Sequence, residues 1–217
     1  MNRSKLDLSV TKRGRRTPSA TALLDATAQI LTTGTQLDAS LSEISARAGV
    51  NSAMVRYYFG NKEGLLVELL EREAETAMAA LNELVVMNLP AQKKLRIHIE
   101  GIINAYFRSP YLNRLIHYMI ESGQPSSRDR VTQVFVEPMI AAYRVIVAQG
   151  VAEGTMREVD PVLLYYALVG SAEHIFYASY STPKTLGVPR ITGSVKRQYT
   201  DLVSGIFSLG LRSDATP

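Results

Sequence analysis

The chain has 217 residues, of which 46% are hydrophobic and 20% are charged, and it contains no cysteine. This composition is typical of a globular protein of one or two domains. The lack of cysteine excludes disulfide scaffolds, zinc ribbons, iron–sulfur clusters and thiol catalysis, and it fits a reducing, cytoplasmic setting. The longest largely apolar run, 162–172, is much shorter than the ~20 residues of a membrane span. A secretory signal would require an apolar stretch after the basic N-terminal residues, and none follows them.

The net charge of +4 is concentrated at the N-terminus. Residues 1–16 contain six basic residues and one acidic residue, whereas the rest of the chain is close to neutral. A flexible basic arm on a near-neutral body indicates a polyanionic partner, either nucleic acid or an anionic membrane surface. The alternative is a solubilising or vector-derived tail.

Apolar residues recur every three or four positions along the whole chain, and no convincing alternating strand is present, so the sequence predicts an all-α fold. Pro138 should kink one of the helices, because proline lacks the amide and crowds the preceding turn. The chain beyond residue 211 is expected to be disordered. Nine helices are predicted, at about 18–33, 41–48, 52–59, 62–87, 91–108, 110–122, 127–151, 161–180 and 191–210.

Two short helices joined by a glycine turn lie between a preceding helix and a long following one. Ser40 and Glu43 form a capping-box pattern at the start of the first short helix, and Gly49 ends it. Asn51 or Ser52 can cap the second. This arrangement is typical of a helix-turn-helix, whose second helix enters the major groove of DNA. A purely structural helical hairpin is the alternative.

Residues 41–66, LSEISARAGVNSAMVRYYFGNKEGLL, resemble the DNA-binding domain of the TetR family of transcriptional regulators. The Ile-Ser-x-x-Ala-Gly-Val block, the Tyr-Phe pair and the Lys-Glu-x-Leu-Leu start of the fourth helix carry the resemblance. The segment 150–170 is similar to the family's connection between its seventh and eighth helices. The sequence departs from the family pattern at Asn51, Ala53 and Arg56, where Ser or Thr, Gly and Tyr are more usual.

The resemblance implies which side chains would meet DNA. Ser40 and Ser42 at a helix N-terminus would bind DNA phosphate, and the recognition helix would line the major groove. Tyr57 and Lys62 would contact the phosphate backbone of the DNA. The basic arm would add general phosphate attraction or enter a minor groove. The predicted DNA-binding residues are Arg13, Arg15, Arg16, Ser40, Ser42, Asn51, Ser52, Ala53, Met54, Arg56, Tyr57 and Lys62.

The resemblance also implies a ligand pocket and a dimer interface beyond the fourth helix. Polar and aromatic residues on otherwise apolar faces are the pocket candidates: Tyr106, Arg114, His117, Tyr118, Phe135, Met139, Tyr143, Tyr166, Glu173, His174 and Tyr177. The last two long helices are the dimerisation candidates, through Gly170, Ser171, Tyr199, Leu202, Gly205, Ile206 and Leu209. Each of these residues could instead belong to the core of a single chain.

These observations predict an arm (1–16), a helix-turn-helix domain (17–64), a helical ligand-binding and dimerisation domain (65–211) and a tail (212–217). The expected function is that of a cytoplasmic homodimer which binds a palindromic operator in double-stranded DNA and releases it on binding a small-molecule effector. No catalytic residue, metal site or cofactor is predicted, because no catalytic or nucleotide-binding motif occurs around His98, His117 or His174. An enzyme and a membrane-surface or scaffold protein are the rival classes; neither accounts for residues 41–66.

Overall fold

The computed structural model describes residues 17–34 and 37–214, and within them the chain is helical, without a strand. The predicted all-α fold is therefore confirmed. The helices are α1 (Pro18–Thr33), α2 (Leu41–Ala48), α3 (Ala53–Phe59), α4 (Lys62–Val86), α5 (Ala91–Arg108), α6 (Tyr111–Glu121), α7 (Pro125–Val131), α8 (Glu137–Ala152), α9 (Pro161–Tyr177), the four-residue α10 (Thr182–Thr185) and α11 (Gly193–Gly210). A π-helical turn, Thr132–Val136, joins α7 to α8, so 125–152 is one continuous helical run.

The first three helices and the start of α4 share a small apolar core. Leu23 and Leu24 of α1, Ile44 of α2, Val55 of α3 and Leu65 of α4 are all fully buried. Burial of this kind stabilises a protein by roughly 1.5–3 kcal/mol per large aliphatic side chain. It fixes the positions of the two short helices relative to α1 and α4.

Helix α4 belongs to both halves of the chain. Its first turn packs with α3, and its later residues Met78, Leu81 and Leu84 are buried in the C-terminal bundle. The predicted domain boundary after residue 64 therefore falls within the first turn of a continuous helix. The bundle itself is built from α5, α8 and α9 packed on one another, with α4 against α5 and α8 and with α11 lying against α5 and α9.

The π-helical turn lies directly before Pro138, where the sequence predicted a kink. Within the turn the amide of Glu137 donates to the carbonyl of Thr132, five residues back instead of four. Widening one turn in this way accommodates the missing amide of the proline while the helix continues. Val134 and Phe135 in the turn remain buried.

The end of α9 differs from the prediction. The α-helix stops at Tyr177, and a 3-10 turn (Ala178–Ser181) leads into α10. The sequence predicted a helix to residue 180, because apolar and aromatic residues continue past 177. The next helix begins at Gly193, two residues later than predicted, because Thr192 caps it by accepting a hydrogen bond from the amide of Val195 at 3.3 Å.

The chain end is ordered further than predicted. Arg212 pairs with Met156 in an isolated antiparallel bridge, and the hydroxyl of Ser213 donates to the carbonyl of Gly154 at 2.7 Å. Residues 212–214 thus pack on the loop after α8 instead of forming a free tail. Residues 215–217, like 1–16, lie outside the described residues.

The run Pro125–Ala152 is long and apolar enough, by length and composition, to cross a membrane. The run was not predicted as a span from the sequence, in which Glu137 and Arg144 interrupt its apolar residues. Its α8 part packs against α4, α5 and α9, as the core helix of a helical bundle does. The run is therefore only weak evidence for a membrane span.

Candidate DNA interface and ligand cleft

The turn between α2 and α3 has the geometry of a helix-turn-helix. Gly49 ends α2 in the left-handed conformation, with φ of +64°, and the amide of Val50 then donates to the carbonyl of Ser45 at 3.1 Å. Glycine suits this position because other residues adopt a positive φ only with strain. After this reversal α3 packs on α1 and α4, and Ile44 of α2 and Val55 of α3 are both fully buried.

The N-terminal caps of these helices use the predicted side chains. The hydroxyl of Ser40 accepts a hydrogen bond from the amide of Glu43 at 3.1 Å. Asn51 caps α3, its side-chain oxygen accepting from the amide of Ala53 at 2.8 Å, whereas Ser52 makes no cap bond. Of the two candidate caps for α3, the structure selects Asn51, and the hydroxyl of Ser52 is left exposed.

One face of α3 is directed to solvent. Ser52, Ala53, Arg56 and Tyr57 are exposed, Tyr57 to 76%, while Val55 on the opposite face is fully buried. An exposed arginine and an unburied tyrosine on a short, rigidly held helix form a surface that can donate hydrogen bonds to bases and phosphates.

The remaining predicted DNA-binding residues lie around this face or outside the described chain. Met54 and Lys62 are half-buried, and Ser42 and Asn51 are exposed. Lys62 is the first residue of α4, held there by Asn61, whose side chain accepts from the amide of Gly64 at 2.8 Å. The basic arm residues Arg13, Arg15 and Arg16 lie outside the described residues.

A cleft of about 1080 Å³ opens between the C-terminal part of α5, α6, the end of α9 and the loop before α11. Five predicted pocket residues line it: Tyr106, Arg114, His117, Tyr118 and Tyr177. Other lining residues were not predicted from the sequence, among them Phe107, Asn113, Glu121, Phe176, Tyr180 and Arg190. Arg190 is brought there by the non-helical loop after α10, for which helical periodicity gives no signal.

Glu173 lies behind the cleft wall and is held by polar neighbours. Asn113 Nδ2 donates to its carboxylate at 2.5 Å, and His117 Nε2 lies 3.4 Å from it. Burial raises the pKa of the nearby Tyr106 hydroxyl, and the negative charge of Glu173 raises it further. Glu173 therefore has hydrogen-bond partners from α6 without a ligand.

Apart from Glu173, five further predicted pocket residues do not line the cleft. Phe135, Met139 and Tyr143 are buried in the bundle core, because their side of the π turn and α8 faces α4 and α5. Tyr166 and His174 are exposed on the outer side of α9. Their apolar sequence neighbours do not indicate burial here, because that side of α9 is itself uncovered.

The predicted dimerisation residues lie on an exposed apolar surface, which we call the outer face. Leu202, Ile206 and Leu209 of α11 are each about 60% exposed, and Leu163 and Tyr166 of α9 are similarly open. Gly170 is exposed between them, while Ser171, Tyr199 and Gly205 are half-buried. The hydroxyl of Tyr199 donates to the carbonyl of Ser171 and joins the two helices. An apolar patch of this kind on a folded chain marks an interaction surface.

Two family models match most of the residues that the structure describes. Residues 23–69 match the family model of bacterial regulatory proteins of the tetR family, and residues 88–214 match that of the tetracyclin repressor-like C-terminal domain. The HTH-type transcriptional repressor NicS of Pseudomonas putida is 23% identical over 174 residues, which cover 79% of this chain and 82% of NicS.

Solved structures share the fold at low identity. The transcriptional regulator FadR from Bacillus subtilis, in complex with stearoyl-CoA, is 16% identical with a TM-score of 0.67, covering 85% of this chain and 97% of FadR. AibR, in complex with isovaleryl coenzyme A and operator DNA, is 18% identical with a TM-score of 0.66, covering 87% of this chain and 97% of AibR. The helix-turn-helix geometry and the two family matches, which together span both halves of the molecule, show that this chain belongs to the TetR family of transcriptional regulators.

Proposed function

We propose that the protein is a cytoplasmic transcriptional repressor that binds a palindromic operator as a homodimer and is released when a small molecule occupies the cleft. The observation that carries the proposal is the exposed face of α3, on which Ser52, Ala53, Arg56 and Tyr57 are free of the core. A recognition helix presents its base-reading residues in this way. The basic arm, by its charge, would strengthen binding to any phosphate backbone.

The outer face supports a homodimer. One copy exposes large apolar side chains along both α9 and α11, and two copies of this helix pair would form a four-helix interface. Two recognition helices on a two-fold axis read half-sites about one DNA turn, ~34–36 Å, apart. A palindromic operator follows from that symmetry.

The cleft supports control by a small molecule. Its volume is close to the upper end of the range for sites of drug-sized ligands, and its walls combine aromatic rings with a few polar groups. Two structural relatives were solved with acyl-coenzyme A thioesters, which makes such compounds the first to screen. A ligand would release DNA only if it binds the DNA-competent form less tightly than another form.

Contacts along α4 support a mechanical link between the cleft and DNA. Glu63, in the first turn of α4, accepts bonds from the amide of Gln124 at 2.8 Å and the hydroxyl of Ser127 at 2.6 Å, where α7 begins after the cleft helix α6. Further along, Arg130 pairs with Glu71 at 2.5 Å. A shift of the helices around the cleft would therefore tilt the helix that carries Lys62.

The test is selection of bound sequences from randomised duplex DNA with purified protein at near-physiological salt. We expect enrichment of a palindrome whose half-sites lie about one turn apart. That operator then serves as the probe for release by acyl-CoA thioesters. Absence of any enriched sequence from a folded dimer, with and without metabolite extract, would contradict the proposal.

A further inference from the structure

Arg114 of α6 joins the cleft to the DNA-binding domain. Its side chain lines the cleft, and its Nη2 donates to the carbonyl of Leu31 at 2.6 Å and to that of Gly34 at 3.0 Å. Those carbonyls end α1, which carries the core of the helix-turn-helix. Since the last carbonyls of a helix have no partners within it, the guanidinium acts as the C-terminal cap of α1.

The guanidinium is incompletely satisfied where it lies. Its Nε is buried without a hydrogen-bond partner, and among residues 17–34 and 37–214 no carboxylate pairs with it. A partly buried cation with only carbonyl acceptors lacks the counter-charge that usually offsets its desolvation. Glu121, the acid that lines the cleft, lies 3.7 Å from His117, and Glu173 behind the wall is bonded to Asn113 and also faces His117.

A second cation and an aromatic wall complete the surroundings. Arg190, exposed on the loop before α11, lines the same cleft. The rings of Tyr106 and Phe176 lie 5.8 Å apart on the wall, and those of His117 and Tyr177 lie 4.7 Å apart. Flat apolar walls suit a ligand with an aromatic ring or a short hydrocarbon chain. Arg114, which has no carboxylate partner, is where a negatively charged group of that ligand would bind.

We propose that the cleft binds an organic anion, an oxyanion group on an aromatic or apolar body, at Arg114, and that this ligand draws the guanidinium off the carbonyls of Leu31 and Gly34. A charge-assisted bond between guanidinium and oxyanion is stronger than a bond to a neutral carbonyl, so the ligand competes effectively for Arg114. The end of α1 loses its cap, and the DNA-binding domain is loosened from α6. The regulatory part of this inference rests on the proposed function; the ligand class does not.

The ligand class is tested with two fluorescent probes that differ in charge. 8-Anilinonaphthalene-1-sulfonate carries an oxyanion, and N-phenyl-1-naphthylamine has the same aromatic body without it. We expect Arg114→Gln to weaken sulfonate binding at least tenfold and to change binding of the neutral probe less than twofold. Arg190→Gln should weaken only the sulfonate, by a few fold, and Arg144→Gln, an exposed arginine on α8, should change neither. Equal losses of both probes in Arg114→Gln, or no loss of either, would overturn the proposal.

The release of α1 is tested on the unmodified protein by hydrogen exchange, so that it does not depend on whether a variant folds. The sulfonate probe should accelerate exchange of the amides at 31–34, while the neutral probe, bound to the same extent, should not. Unchanged exchange at 31–34 with the sulfonate bound would contradict the capping role. Neither measurement uses DNA. Their outcome is therefore independent of operator binding, and failure of this inference can be told apart from failure of the proposed function.

Discussion

Arg56 stands on the exposed face of α3 at a position where the family more often has tyrosine. An arginine there can donate two bonds to a guanine edge, a contact worth about 1–3 kcal/mol of discrimination. We therefore expect Arg56→Ala to weaken binding to the selected operator by that amount and to leave binding to unrelated DNA nearly unchanged. Fluorescence anisotropy with both duplexes at one salt concentration measures this.

Arg144→Ala is the matched control for Arg56, because it removes an equally exposed arginine from α8. It should alter neither duplex affinity. A uniform loss on both duplexes with Arg56→Ala would instead place Arg56 on a phosphate, where it positions the protein without reading sequence.

Protonation of His98 bears directly on stability. Its ring is buried edge-on against Tyr143, with centroids 5.4 Å apart, and its Nε2 has no hydrogen-bond partner. Burial lowers the pKa of His98 from 6.5 to about 4. Between pH 6.5 and pH 4 the unfolded chain therefore binds a proton at His98 that the folded chain does not bind. The free energy of unfolding is highest above pH 6.5 and decreases as the pH falls towards 4.

Between pH 7.5 and 5.0 this linkage should remove about 2 kcal/mol from the free energy of unfolding. We expect His98→Phe, which keeps a ring against Tyr143, to lose that much less over the same interval. Urea unfolding at fixed protein concentration measures the difference. His174→Phe, at an exposed histidine, should keep the pH dependence of the unmodified protein; equal slopes for all three proteins would refute the prediction.

At the scale of elements, the turn from α3 into α4 depends on Gly64. A Cβ at this position would lie 2.0 Å from the carbonyl oxygen of Phe59, a backbone atom that a rotamer change cannot move. Gly64→Ala should therefore destabilise the helix-turn-helix by about 1–3 kcal/mol or more and weaken operator binding. Gly101→Ala is the control: this glycine is exposed in α5 with open space around it, and alanine there should stabilise by about 0.5–1 kcal/mol. Thermal unfolding of both variants, with opposite shifts expected, measures the contrast.

Local chemistry made most element boundaries predictable, while features set by tertiary packing were not. Thr17-Pro18, Ser40 and Gly49 act through neighbours within a few residues, so α1 and α2 could be placed from sequence. The π turn before Pro138 was predicted only as a kink, because its register depends on how α8 packs. The break at Tyr177 has no proline or glycine to mark it.

The candidate site divides in the same way. Short-range spacing located the exposed face of α3, but apolar periodicity could not tell the cleft from the core or from the outer face. Tyr143, Tyr166 and Tyr177 have similar sequence surroundings, yet they lie in the core, on the outer face and in the cleft. The bond from Arg114 to Leu31 spans 83 residues of chain, and no local pattern encodes it.

At the scale of the whole molecule, the proposed recognition of a palindromic operator requires a dimer, since one chain carries one recognition helix, and the proposed interface is the outer face. A carboxylate in the middle of an apolar interface is desolvated without a partner and cannot be accommodated cheaply. If the unmodified protein is the proposed dimer in sedimentation velocity, Ile206→Glu should convert it to a folded monomer, and it should weaken operator binding far more than non-specific binding. Val86→Glu, at an 82% exposed valine at the end of α4, should leave both unchanged. A dimer that persists in Ile206→Glu and in Leu202→Glu would place the interface elsewhere. The two-fold symmetry of the proposed operator would then have to come from a dimer formed through other helices.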